Sequence, residues 1–317
     1  MARSRSLKDI PTLAFGAGRD CTLPATLAIA TGTEYEWVMG VSGAAFTTTI
    51  DAVTWDPLAA APLDEATLAR GARAAGVRPD VVGPPFDDDM RSLVLDRVAE
   101  AIDAKLPPLV RGIAGPPEYG LIVGYDEDGP TFLARTYFDK TDRPTKVDWS
   151  AFADAEHGLV AFLDRDGEPD RAPLAREAVA GAVEAGGAAL AALMTWLDGV
   201  RDEERWKDTR HAGTLAFADH AMRGIHVDKR RAAARFLRGV RALFPNTPGA
   251  DLLRAAESYG YSADAAQKMG SGAFDASVAM RFLDVGHRRA WAKQLEMILG
   301  HEREAQSALA AAHGALR

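Results

Sequence analysis

The sequence predicts an α+β domain followed by an all-α domain, and two observations carry that reading. Up to about Gly167, strand-like runs alternate with short helices and Gly/Pro turns. From Ala172 onward, alanine-rich helical periodicity takes over almost completely. The change falls in "LDRDGEPDRAPLAREA", where Gly167, Pro169 and Pro173 punctuate a charged segment, so the expected domains are residues 1–167 and 168–317.

The elements follow in order. Thr22 to Thr31 is expected to form a short helix, with Pro24 tolerated in its first turn and Gly32 supplying the stop. "AFTTTIDAVTW", Ala45 to Trp55, is rich in β-branched residues and reads as strand-like. Asp87 to Leu106 sets Leu93, Val94, Val98, Ala101 and Ile102 on one helical face, with aspartates crowding the first turn where the helix dipole favours anions. "PPLVRGIA" reads as a strand; "EYGLIVGYD", the turn "EDGP" and "TFLARTYFD" read as a hairpin. In the second half, apolar residues recur at Ala233, Phe236, Leu237, Val240, Leu243 and Phe244 until Pro245 ends the helix. The same spacing recurs through Trp291, Leu295, Ile298 and Leu299, and a helical bundle is expected.

Composition narrows the function classes. The 317 residues are 47% hydrophobic and 26% charged, an ordinary globular balance, and the net charge of -8 lacks the basic field that draws nucleic acid or anionic lipid. Neither nucleic acid nor membrane is expected as a partner. The basic stretch "DKRRAAARFLRGVR", with Lys229, Arg230, Arg231, Arg235, Arg238 and Arg241, reads as a solvated helix face. The single cysteine excludes an intrachain disulfide, the start carries no signal-peptide pattern, and a cytoplasmic protein is expected.

That cysteine, Cys21, stands directly before the first helix. Unpaired backbone N–H groups and the positive end of the dipole stabilise a thiolate there, and the same N–H groups are placed to receive an oxyanion in acyl transfer. Against this, a cysteine without a disulfide partner is commonly a small buried apolar residue. Trp37 and Trp55, with Tyr35 and Phe46, are candidates to line a substrate cleft, or else to pack a core.

"RDCTLPATLAIATG" resembles the cysteine-helix opening of papain-like bacterial proteins, among them the leader peptidases of bacteriocin exporters and the butirosin-pathway acyltransferase. "LPPLVRGIAGPPEYGLIVGYDEDGPTFLARTYFD" is similar to the second signature of that fold, and the likeness spans about residues 10 to 165. It implies a papain-like domain with Cys21 as nucleophile. The position of the family's histidine, six residues before Gly124, holds Glu118, and the position of its oxyanion-hole glutamine holds Phe15. Asp139, closing "RTYFD", matches the third, orienting position, and Tyr119 and Tyr137 flank the site as substrate contacts.

The replacement has a chemical consequence. Moving a proton from a thiol with pKa near 8.5 to a carboxylate near 4.3 costs about 6 kcal/mol, and a nearby carboxylate raises the thiol pKa further. Peptidase chemistry is therefore disfavoured, and a cysteine-dependent enzyme acting on an amide or thioester, a biosynthetic acyltransferase or amidase with a Cys21/Glu118 acid-base pair, is expected in its place. The substrate would be a small molecule or peptide, including a thioester on a carrier protein. His157 is a second source of a base. The rival expectation is a catalytically inactive papain-like module that binds a peptide or small molecule. No cofactor is expected: "FGAGRD" lacks the third glycine of a dinucleotide loop, "DRDGEPD" lacks the acid of a calcium loop, and no Cys/His cluster has zinc spacing.

Overall fold

The computed structural model describes residues 4–61, 63–126, 131–153, 158–271 and 275–316. In chain order the elements are β1 (Ser4–Ser6), α1 (Thr22–Thr31), α2 (Tyr35–Val41), α3 (Pro57–Ala60), α4 (Glu65–Ala74), β2 (Val77–Val82), α5 (Asp88–Asp103), β3 (Leu109–Arg111), β4 (Tyr119–Asp126), β5 (Thr131–Arg135), β6 (Thr145–Asp148), α6 (Trp149–Ala153) and β7 (Leu159–Arg165). The helices α7 (Arg171–Arg201), α8 (Thr209–Val240), α9 (Thr247–Gln267), α10 (Ala276–Arg281) and α11 (Val285–Leu316) follow. The fold is mixed, an antiparallel sheet of seven strands in the N-terminal part and a helical C-terminal region.

Two compact units divide the chain. The first comprises Met1–Ala14, Thr22–Val38 and Leu63–Pro169; the second comprises Phe15–Cys21, Met39–Pro62 and Asp170–Arg317.

In the first unit the strands run in the order β2-β7-β3-β4-β5-β6, with β1 also paired to β4. The run Tyr119–Tyr125 of β4 is buried throughout, as a strand covered on both faces requires. Gly124 is needed there: a Cβ at this position would sit 2.5 Å from the Arg5 carbonyl oxygen of β1. Helix α5 starts at Asp87, whose carboxylate accepts the Met90 N–H at 2.9 Å. It buries Val94, Val98 and Ile102 completely against Val110, Ile122, Phe132 and Val160 of the sheet, while Leu93, at the edge of the expected face, is 47% exposed. Strand β2 was not legible in the sequence. Pro79 interrupts its pattern, and β2 accommodates that proline because it lies at the sheet edge. The expected hairpin turn, Glu127–Pro130, lies outside the described residues.

In the second unit α11 packs along α9 and α7, and α9 packs along α8. The stretch Ala45–Trp55 belongs here and forms no strand. Two of its carbonyls are taken by a buried cation: Arg230 of α8 donates to those of Ala45 at 2.7 Å and Thr47 at 3.3 Å. Its aromatic side chains become core. Phe46 meets Phe236 at 6.0 Å and Tyr259 at 5.9 Å between ring centroids, and Trp55 packs on Trp206 at 5.9 Å. By length and composition α7 is the described helix apolar enough to cross a membrane, a test that core helices also pass.

Candidate functional site

Cys21 lies in the second unit, directly before α1 in the chain, with no exposed surface. The Asp228 carboxylate of α8, itself 4% exposed, accepts the backbone N–H of Asp20 at 2.9 Å and that of Cys21 at 3.1 Å. These are donors of the kind expected to receive an oxyanion, and here a resident carboxylate uses them. Asp228 also lies within hydrogen-bond reach of the Cys21 thiol. Burial first, and then the charge of Asp228, push that thiol well above its ordinary pKa; Asp20 adds to the effect and the Lys229 ammonium opposes it. The sulfur is thus held as a thiol at neutral pH.

Asp20, whose side chain accepts the Gly16 N–H at 2.6 Å, is pushed up to about 6 by burial and by Asp228. Lys229 is pushed down to about 8, chiefly by burial. Its ammonium donates to the Ala60 carbonyl at 2.7 Å and to Thr47 Oγ1 at 3.3 Å.

Behind these groups α8 carries a second buried network. Arg230 Nε donates to Glu302 Oε1 at 2.6 Å and Nη2 to Thr48 Oγ1 at 2.6 Å. Ser262 donates its hydroxyl to the same Glu302 oxygen at 2.7 Å, and His226 Nε2 lies 2.9 Å from Ser262 Oγ. Of the basic stretch expected to face solvent, Arg231, Arg235, Arg238 and Arg241 do so, whereas Lys229 and Arg230 are buried. Helical periodicity was sufficient to place the exposed arginines. It did not reveal that "DKR", Asp228 to Arg230, turns inward, because the partners that make such burial tolerable come from Ala45–Ala60 and Glu302.

The remaining sequence candidates fall as follows. Glu118, in the first unit, accepts from Thr22 Oγ1 at 2.5 Å, and the same hydroxyl accepts the Tyr119 N–H at 3.2 Å. Asp139 accepts from Thr136 N at 3.2 Å, Thr136 Oγ1 at 3.0 Å and Thr145 Oγ1 at 3.0 Å, and stands 3.4 Å from Arg135 Nη1, which makes it the centre of a turn. The Tyr119 hydroxyl is pushed up by burial, with Arg111 hydrogen-bonded to it and opposing the shift. Trp37 donates its indole N–H to the Ala74 carbonyl at 2.9 Å. Tyr137 and Trp55 are buried, the latter completely. Phe15 is half-buried. His157 lies outside the described residues. Among the described residues no group of three or more His, Cys, Asp or Glu is arranged to hold a metal ion.

The second unit also contains a narrow cleft, lined by Thr48, Thr49, Trp196, Met222, His226 and Lys229 among others. No protein-family model matches the chain, and no curated protein is significantly similar to it.

Proposed function

We propose that this chain is a ligand-binding module, with a papain-like first part, in which Cys21 is a structural thiol. The ligand is a small molecule or peptide and the setting cytoplasmic. One observation carries the reading: the Asp228 carboxylate occupies the N–H groups of Asp20 and Cys21 beside a sealed thiol. A thiol attacking an acyl group needs ionisation and access, and the oxyanion formed needs unengaged donors. Burial and the Asp228 charge oppose the first, and Asp228 takes the second.

The acyl-transfer reading retains one point in its favour. Lys229, held near 8, is a cation that acts on Cys21 and favours its thiolate. That influence is outweighed by burial and Asp228 as the groups stand.

Iodoacetamide labelling of the native and urea-unfolded protein from pH 6 to 10, read by intact mass, separates the two. Native labelling slower than unfolded by at least about 100-fold, with no midpoint below about 8, is the expected result for a sealed thiol. Rapid native labelling with a midpoint below about 8 would instead support the transferase.

A further inference from the structure

His226 and Lys229 stand one turn apart on α8, and both line the cleft of the second unit. Ser262 has one hydroxyl proton and gives it to Glu302, so its oxygen accepts from His226 and fixes the proton of the neutral imidazole on Nε2. Burial, with Arg230 and Lys229 nearby, keeps the ring neutral by holding it well below its usual range. Nδ1 is therefore an acceptor, it is buried, and it has no hydrogen-bond partner among the described residues. The Lys229 ammonium has three donors, of which Ala60 and Thr47 receive two. One cleft thus holds a cation with a donor left over and a bare acceptor, beside the apolar walls of Trp196 and Met222.

We infer that this cleft binds a short 2-hydroxycarboxylate, the carboxylate on the Lys229 ammonium and the hydroxyl donating to His226 Nδ1. A carboxylate suits a desolvated ammonium that has a donor to give, and a hydroxyl satisfies a lone pair that is otherwise costly to bury. The cleft is narrow, which restricts the ligand to the smallest members of that class. Nδ1 has almost no open surface, so the lining shifts as the ligand enters. Trp196, edge-on to the imidazole at 6.4 Å, reports that shift.

The inference rests on the binding reading above and supplies its ligand class. Glycolate and L-lactate are titrated into the full-length protein by calorimetry and tryptophan fluorescence, with propionate, which lacks the hydroxyl, and lactamide, which lacks the charge. Saturable binding of glycolate or L-lactate, at least about tenfold tighter than either control, is expected for two such polar contacts. Affinity falls as pH rises through about 8, where Lys229, faced by Cys21, Asp228, Arg230 and His226, loses its charge. His226→Gln, which retains a donor toward Ser262 and loses the Nδ1 acceptor, and Lys229→Met each weaken binding about tenfold or more. The comparison of ligands on the unaltered protein stands even if a variant fails to fold. No saturable binding up to about 50 mM, weaker than any affinity of functional use, or equal binding of the controls, overturns the site. That failure with an inert Cys21 removes the ligand assignment alone, whereas a reactive Cys21 with glycolate bound removes the structural-thiol reading and keeps the cleft.

Discussion

Asp228 accepts the backbone N–H of Cys21 at 3.1 Å although 207 positions separate the two residues. The carboxylate therefore does two things at once: it fixes the backbone of Asp20 and Cys21 to α8, and it holds the neighbouring thiol protonated. Replacements that separate charge from hydrogen bonding distinguish the two roles. Asp228→Asn keeps an oxygen for the two N–H groups and removes the charge, so native Cys21 is alkylated faster than in the parent. Asp228→Ala strands both donors and lowers unfolding free energy by about 2 kcal/mol or more, measured by urea denaturation.

Asp20 makes stability depend on pH with a definite sign. Its folded-state pKa, about 6, lies above its ordinary 3.8, so the folded protein holds a proton that the unfolded chain gives up between those values. The contribution is fully present below about pH 3.8 and is lost as pH rises through 6, reaching at most about 3 kcal/mol. Asp20→Asn removes this loss: relative to the parent, the variant gains stability between pH 4 and pH 7. Urea titrations at pH 4, 5.5 and 7 measure the change, and parallel curves would refute it.

Arg230 and Glu302 form an ion pair with both side chains almost wholly buried. Glu302→Leu leaves the guanidinium without its counter-charge and costs about 3–5 kcal/mol. Adding Arg230→Met removes the stranded charge. The double variant is then more stable than the sum of the two single losses predicts, by at least about 1 kcal/mol in a denaturation cycle. Strict additivity would show that the pair is not coupled.

Glu118→Gln tests the partner expected from the sequence. The Glu118 carboxylate takes the Thr22 hydroxyl, and burial and the Asp228 carboxylate are the largest influences on the Cys21 thiol. Native alkylation of Cys21 in Glu118→Gln is expected to stay within about twofold of the parent, since burial and Asp228 dominate the ionisation of the thiol. A change of tenfold would restore the Cys21/Glu118 pair.

The sequence by itself determined the elements whose signals are local. The helix over Thr22–Thr31, the α5 stripe of Val94, Val98 and Ile102 behind its Asp87 cap, the unbroken apolar run of β4, and the end of the α8 region at Pro245 all follow from periodicity and chain termination within a few residues. Tertiary structure alone decided the charged interior and what surrounds the cysteine. Ala45–Trp55 has the composition of a strand, yet two of its carbonyls pair with Arg230 and its rings pack in the helical unit. Asp228, Lys229 and Arg230 look like a solvated helix face until Cys21, Ala60 and Glu302 arrive from distant parts of the chain. The physical reason is the same in each case: an apolar stripe advertises its burial in its own spacing, whereas a charge can be buried only where remote partners replace the water it loses.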